Sequence, residues 1–415
     1  DRSVSRGLGD VYKRQDIDKI NKLGHKIHEL NQQISKIEAG GIETAMDLRD
    51  ERDLALDQLG ALAKISYKED YKGVVTVKLE DEYFVDELNT YEIGKKTDKL
   101  TGFITPYWPQ LSDTDRDIYV NVFDFNVDIS TALNSDVGEL KALIMSRGDH
   151  WADYSDIEGK GEQEYLDTTN LSVIIDMQAK LDQMVHNMIT AINDQLCPNV
   201  TGPVGVTYQD ANGNTVNLSD AKVLDTENCA RGSDGELPPR ELFVRAGIER
   251  YTEVTGSDGK TYYVYNEEDT SDTSYMYSLT SCGVNEELKK IETLFPHLKQ
   301  NGEVDQQLGE RLEALWNKDL VGLDPTDPDE CNIEEYYQKM IGGLATVGNV
   351  YQKKAENLAG SVLTIENNRQ QVIGVSSDEE LQNMIKFQNA YNASSRFMTV
   401  ISDMIEHIVT RLGNG

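Results

Sequence analysis

Residues 376–412 read SSDEELQNMIKFQNAYNASSRFMTVISDMIEHIVTRL, and this stretch decides the fold of the carboxyl end. Ser377 and Glu380 have the spacing of a capping box, which satisfies the free amides at the start of a helix. From residue 384 onward, the side chains of one face recur with spacings that alternate between four and three, as in the seam of a coiled coil. The pattern predicts one helix from 378 to 412, about 50 Å long.

The other face of this helix carries few charges. Between 381 and 415 the fully charged residues are Lys386, Arg396, Asp403, Glu406 and Arg411. Two interpretations are equal on periodicity alone: a terminal helix docked on its own domain, or a helix that packs against neighbours in a polymer. The second gives a reason for the low charge, because a buried charge costs several kcal/mol unless it is paired.

The amino-terminal part carries a second apolar ridge. Its side chains again alternate three and four residues apart, which predicts a helix that runs through residue 37. Residues 16–66 are predicted to be two helices, with a break at Ala39-Gly40-Gly41. The ridge consists of Ile20, Leu23, Ile27, Leu30, Ile34 and Ile37.

Both ends of the chain resemble a known family. Residues 373–380 and 386–393 look like the carboxyl end of bacterial flagellar axial proteins, the rod, hook and hook-associated proteins. Residues 20–34, 47–53 and 138–144 are similar, in order, to segments of the hook-associated proteins of the hook–filament junction. The matched regions cover roughly half the chain, and the β-rich middle is not among them.

The resemblance implies a structural subunit without enzymatic activity or cofactor. It implies that the chain joins hook to filament and self-assembles into a ring through its terminal helices, in which both ridges contact other subunits. The implied partners are its own copies, the hook protein, the second junction protein and an export chaperone. The implied location is the extracellular flagellum, reached through the flagellar type III apparatus. The predicted subunit-packing residues are Met384, Ile385, Gln388, Tyr391, Ser395, Met398, Ile401, Ile405, Ile408, Val409, Leu412, Ile20, Leu23, Ile27, Leu30 and Ile34.

Residues 1–15 look like a translated sequencing adapter, and such segments are excluded from fold prediction. The amino-terminal helix that the resemblance implies is therefore expected to be missing. The formal charge is −33, and all of the net negative charge lies on residues 38–380. Such acidity argues against nucleic acid as a partner. Without a stretch of eighteen apolar residues, the sequence predicts no membrane insertion.

The predicted fold class is α+β: elongated and multidomain, with long coiled-coil-like helices from both chain ends and β-rich insertions between them. Asn212-Gly213 and Asp258-Gly259 predict two β-hairpins. Residues 168–196 carry a Met-rich stripe, Ile174 to Ala191, which is more often core than a cofactor site. After the adapter at 1–15, the predicted domains are 16–66 (helical), 67–134 (β-rich), 135–196 (helical), 197–283 (β-rich), 284–332 (mixed), 333–376 (helical) and 377–415 (terminal helix).

Candidate chemistry is sparse. His25 and His28 lie one helical turn apart beside Glu29, but without an evident third ligand a solvated polar face is favoured over a metal site. Residues 210–214 have the spacing that begins a calcium-binding loop. An Asn-Gly turn is favoured, because the sixth position is Thr215 instead of Gly and the twelfth is Ala221 instead of Glu. The acidic loop 324–330 could bind a cation weakly, although a solvated connector is the default.

The four cysteines form no Cys-x-x-Cys pair. Free thiols are the favoured interpretation. A Cys197–Cys282 disulfide that clasps the base of the second β-rich segment is an alternative hypothesis, which would stabilise the fold by roughly 4–5 kcal/mol in the loop-closure model.

Two alternative functions remain open. One is another axial protein, such as a hook protein. The other is a secreted adhesin or carbohydrate-active enzyme with coiled-coil ends, which carboxylates clustered in a cleft of the middle region would support.

Overall fold

The computed structural model of the chain describes residues 2–41, 44–98, 102–124, 137–211, 213–373 and 377–412. Side chains are described for all of these residues except 2–12, 372–373, 377 and 407–412. The chain divides into two units, Asp1–Gly342 and Gly343–Gly415. Helices and antiparallel sheets occur together in the first unit, whereas the described residues of the second are helical. The α+β class predicted from the sequence is therefore confirmed.

Two helices and two small sheets begin the first unit. The first helix also runs through residues 2–15, and it ends just before the predicted break at Ala39-Gly40-Gly41. Strands β1, β2 and β3 form an antiparallel sheet in that order, and β4 pairs with β5. The elements are α1 (Arg2–Glu38), α2 (Met46–Leu62), β1 (Ile65–Glu69), β2 (Val75–Leu79), β3 (Glu82–Val85), β4 (Gly94–Thr97) and β5 (Ile104–Tyr107).

The apolar ridge of α1 lies in the core of its own unit, except for Ile37 at its end, which is 42% exposed. Ile20 and Ile27 are fully buried and share one cluster with Leu59 of α2 and Val77 of β2. Alternate residues of β2 are buried, as a strand with one covered face requires. The two helices and the first sheet therefore enclose a common core.

Two buried polar side chains fix this arrangement. Asn31 of α1 binds both backbone groups of Val75, accepting from its N–H at 3.0 Å and donating to its carbonyl at 2.8 Å. Arg52 of α2, only 2% exposed, donates to the Asn31 side chain and to the carbonyl of Gly73. Because unpaired polar groups in a core are costly, these contacts hold α1, α2 and the start of β2 in one arrangement.

Helix α3 (Glu139–Arg147) begins against the end of α2. Gly138 precedes it with a φ of 106°, and a Cβ there would lie 2.6 Å from Cα of Ala63, so a side chain does not fit. Lys141 of α3 forms a nearly buried ion pair with Glu80 at 2.9 Å. Helix α4 (Glu162–Asp167) and helix α5 (Val173–Leu196) follow, and Ser172 caps α5 by accepting from the N–H of Ile175.

The buried face of α5 differs from the predicted Met-rich stripe. Ile174 and Leu181 of that stripe are 43% and 39% exposed, whereas Ile175, Ala179 and Ile189 are buried. The prediction that the stripe is core is confirmed only in part, because Met177 and Met184 pack against the buried cluster around Tyr336 and Met340. Asp182 and Asn193 lie on the buried face because they bind loop amides: Asp182 accepts from Tyr154 and Leu279, and Asn193 from Leu242 and Phe243.

Short strands and helices make up the rest of the first unit. One sheet has the antiparallel order β11-β12-β9-β6, and both predicted hairpins are confirmed as β7–β8 and β11–β12. Residue 212 itself lies outside the described residues. The elements are β6 (Asn199–Thr201), β7 (Thr207–Gln209), β8 (Thr215–Asn217), β9 (Lys222–Leu224), β10 (Phe243–Val244), β11 (Tyr251–Thr255), β12 (Thr261–Tyr265), β13 (Gly283–Val284), α6 (Glu286–Lys290) and α7 (Gln306–Ala314).

All four cysteines are free, so the hypothesised Cys197–Cys282 disulfide is wrong. Cys197 is fully buried at the end of α5, where its thiol donates to the carbonyl of Pro239. Burial raises the pKa of the Cys197 thiol, which keeps it protonated.

Two long helices, α8 (Ile333–Ile373) and α9 (Ser377–Leu412), end the chain. The beginning of α8 belongs to the first unit, where Tyr336 is buried and its hydroxyl contacts α5 at the carbonyl of Lys180 and the side chain of Gln183. Met340 is the last buried residue along α8. The predicted helix from 378 to 412 is confirmed as α9.

Candidate functional site

The most unusual surface of the chain is the apolar face of α9. Tyr391 is 75% exposed, Phe387 70% and Met398 66%. Every described side chain from 378 to 406 is exposed except Ile401, which is half-buried. A soluble monomer rarely exposes a long contiguous apolar face, and such a face indicates a surface that another molecule covers. We define the α9 stripe as Met384, Gln388, Tyr391, Ser395, Met398, Ser402 and Ile405.

Helix α8 carries a matching surface after Gly342. All of its described side chains from 343 to 371 are exposed, including Leu358 at 62%, Val362 at 64% and Ile365 at 66%. The spacing again alternates between three and four residues. We define the α8 stripe as Leu344, Gly348, Tyr351, Ala355, Leu358, Val362 and Ile365.

The predicted subunit-packing residues divide into two groups. Those of α9 whose side chains are described are exposed or, at Ile401, half-buried, so they are available to a partner. The side chains of Ile408, Val409 and Leu412 lie outside the described residues. The five residues of α1 are buried inside their own chain, at 0% to 6% exposure, so the structure gives them a core position and no free surface: Ile20, Leu23, Ile27, Leu30 and Ile34.

This burial corrects one expectation about the ends of the chain. The amino-terminal ridge finds its partners in α2 and the first sheet, and only the carboxyl-terminal helices present uncovered apolar faces among the described residues. A 3.5-residue repeat specifies which face of a helix is covered, but an adjacent helix of the same chain satisfies it as well as a second subunit does.

The residues considered as metal ligands have other partners. His25 binds Glu92 at 2.6 Å, and His28 lies against the carbonyl of Asp86 and the side chain of Gln32. The carboxylate of Asp210 accepts from Asn214 within the turn of the β7–β8 hairpin. Among the described residues, no cluster of three or more His, Cys, Asp or Glu side chains could hold a metal ion.

The acidic loop before α8 is organised by its own amides. Asp324 accepts from the backbone and hydroxyl of Thr326, at 2.8 and 2.6 Å, and from Lys180 at 2.9 Å. Burial alone would raise the pKa of Asp324, but these hydrogen bonds lower it, so the carboxylate is ionised and already paired. The loop therefore fastens the base of α8 to α5.

A cleft of about 610 Å³ is lined by residues 236–241, 244–251, 285 and 287. It contains several carboxylates, the feature that would support a carbohydrate-active enzyme. Burial raises the pKa of Glu241, yet its carboxylate accepts from the hydroxyl of Tyr277 and the amide of Asn193. Glu236 and Glu287 both bind Arg240. Three carboxylates of this cleft, those of Glu236, Glu241 and Glu287, are thus engaged in contacts that support the fold, whereas Glu249 is exposed.

Comparisons with known proteins match both ends of the chain. A family model described as the helical domain of the flagellar hook-associated protein FlgK matches residues 13–202, which contain most of α1 and all of α2 to α5. A second model, the carboxyl-terminal region of the flagellar basal body rod proteins FlgEFG, matches residues 370–411, which contain most of α9. The chain is thus similar to the flagellar hook-associated proteins over residues 13–202 and to flagellar axial proteins over residues 370–411.

A curated relative is similar to nearly the whole chain. Flagellar hook-associated protein 1 of Bacillus subtilis strain 168 is 23% identical over 408 residues, which cover 95% of this chain and 64% of the relative. The chain thus spans just under two thirds of the length of that relative. The two matches support a structural role in the flagellar axis.

A solved structure, the flagellar hook junction protein FlgK from Burkholderia pseudomallei, is also similar. The identity is 14%, the TM-score is 0.36, and the match covers 71% of this chain and 51% of that one. Within the described residues, none of the helices combines the length and apolar character needed to cross a bilayer.

Proposed function

We propose that this chain is a hook-associated structural subunit that joins the flagellar hook to the filament and self-assembles through α8 and α9. The observation that supports the proposal is the pair of stripes on α8 and α9, whose large apolar side chains are exposed in the single chain. Full burial of one large apolar side chain contributes about 1.5–3 kcal/mol. A neighbour that covers both stripes therefore gains enough free energy to order them.

The low charge of α9 supports the same proposal. A helix inside a polymer loses its solvent, and each unpaired charge that it carried would oppose assembly. An isolated helix is marginally stable in water, so α9 acquires its full stability when a partner covers it.

The partners proposed for the chain follow from its family. They are its own copies in a ring, the hook protein on one side and the second junction protein on the other. An export chaperone would cover α9 before secretion through the flagellar type III apparatus, which places the mature subunit outside the cell. A subunit of the hook itself is the alternative within the same class, and the match to the hook-associated helical domain favours the junction.

Deleting the gene tests the junction role. We expect cells without the protein to build hooks of normal length that carry no filament, and to release unassembled filament subunits into the medium. Electron microscopy of sheared flagella and an immunoblot of the supernatant measure both. Filaments that remain attached to the hooks of the deletion strain would refute the proposal, and loss of the hooks would indicate a hook subunit.

A further inference from the structure

We infer that the pair Gly342-Gly343 is a flexible joint within α8, a point at which the helix opens and bends in the free chain. The joint is a property of the single chain, so it goes beyond the proposed function and exists whether or not that function is correct. Three features of α8 support it: an anchored base, an uncovered remainder, and two glycines between them that no close contact requires.

The base of α8 is held firmly by the first unit. Tyr336 is 1% exposed, and its hydroxyl lies 2.9 Å from the side-chain oxygen of Gln183 on α5. Lys339 forms an ion pair at 2.9 Å with Asp327 of the preceding loop, and Met340 is 4% exposed. Because a helical turn has 3.6 residues, these contacts fix about the first two turns of α8.

The support from the first unit ends at the glycine pair. From residue 343 to 371, every described side chain of α8 is exposed, and the division between the two units falls between Gly342 and Gly343. The helix itself is continuous across this point, from Ile333 to Ile373. Most of the stability of a helix in a protein comes from tertiary packing, so bending and opening of α8 are easiest where that packing stops.

No close contact requires glycine at either position. A Cβ placed at Gly342 or Gly343 would meet nothing within 4 Å, and neither residue has a positive φ. Gly24 of α1 is different, because a Cβ there would lie 2.6 Å from the ring of Phe84. Apart from proline, glycine is the least favourable residue in a helix interior, since its backbone has the most freedom to lose. The pair therefore weakens α8 directly after its last anchored turn.

The position of the pair determines what its opening does. Kinks in helices occur at glycine pairs, whereas Gly348 and Gly360 stand singly in α8 and each weakens it less. Opening at Gly342-Gly343 breaks the few backbone hydrogen bonds that span the pair and leaves the contacts of Tyr336 and Met340 intact. Whatever molecule covers the rest of α8 can then set its direction without straining the anchored base.

Amide hydrogen exchange in the dilute full chain tests the joint. The amides of residues 343–347 donate across the pair to carbonyls four residues earlier, so they report on its opening. We expect Gly342→Ala/Gly343→Ala to slow their exchange by about tenfold or more, after correction for intrinsic rates, because alanine favours the helix at both positions. Gly360→Ala makes the same change at a site that also has open space, and should leave these amides unchanged.

Spin-label distances within α8 give a second test. In a Cys282→Ser background, the three remaining native cysteines are buried. Labels at Gln338→Cys and Glu356→Cys span the joint, whereas labels at Asn349→Cys and Asn367→Cys span the same number of residues beyond it, and all four sites are exposed. An unbroken helix would place each pair of Cα atoms about 27 Å apart. We expect the first pair to give the broader distance distribution, and alanines at 342 and 343 to narrow it.

The outcomes separate the joint from the proposed function. Exchange and distance distributions that the two alanines leave unchanged would overturn the joint. So would a double-alanine variant whose monomer behaves like the wild type but which associates less well, because the glycines would then make room for a partner. None of these results depends on self-assembly being correct, and a chain that never associates could still contain the joint.

Discussion

Removing residues 378–415 will abolish self-association of the chain while the first unit keeps its stability. None of the described side chains of α9 is buried in the single chain, so the truncation removes no contact of the core. It does remove one of the two uncovered apolar stripes. We expect the truncated chain to sediment as a monomer at concentrations where the full chain associates, with the midpoint of thermal unfolding changed by less than about 2 °C.

A pair of substitutions on α9 controls for the size of this deletion. Tyr391 lies on the stripe, and Asn389 lies on the opposite side of the same turn and is exposed as well. Tyr391→Asp replaces a large apolar contact with a charge that assembly would have to bury, which should weaken association by about 100-fold or more. Asn389→Asp introduces the same charge outside the stripe and should have little effect. Equal effects of the two would indicate a nonspecific charge effect.

Replacing Ile27 with alanine will destabilise the first unit by about 2–5 kcal/mol. Ile27 is fully buried in the cluster that α1 forms with α2 and the first sheet, and its truncation leaves a cavity there. The free energy of unfolding can be measured by denaturant titration. The fluorescence of Trp108 reports on this unfolding, because Trp108 is 1% exposed in the same cluster.

The matched control is Met384→Ala, which truncates a side chain of the α9 stripe that is 62% exposed. We expect it to change the unfolding free energy by less than about 0.5 kcal/mol and to weaken association. If Ile27→Ala unfolded like the wild type but lost association, the ridge of α1 would be an interface after all, as its periodicity first suggested.

The long helices could be predicted from the sequence because their signals are local. The capping box at Ser377 and the repeat that follows it predicted α9, and the glycines after Ala39 predicted the end of α1. The two hairpins could be predicted equally well, since Asn-Gly and Asp-Gly favour tight turns irrespective of distant contacts. The family resemblance at both ends came from the same local patterns.

The partners of these helices could not be predicted in the same way. Ile27 of α1 and Met384 of α9 stand in similar repeats, yet the first is fully buried and the second exposed. What separates them is the presence of α2 and β2 beside α1, which is a long-range feature. In α5, the polar residues Asp182 and Asn193 lie on the buried face because they bind loops that are distant in sequence. A prediction from hydrophobic periodicity expects apolar residues on the buried face, so it chose the neighbouring Met-rich face instead.

Amide hydrogen exchange in the stripes tests the central claim most directly. The claim is that α8 after Gly342 and α9 lack partners in the single chain and gain them on assembly. Peptides covering 344–371 and 381–406 should exchange rapidly in the dilute monomer, while those of α1 and α2 stay protected, and assembly should slow exchange in the stripes by about 100-fold or more. Strong protection of 381–406 in the dilute monomer, unchanged on assembly, would contradict the account.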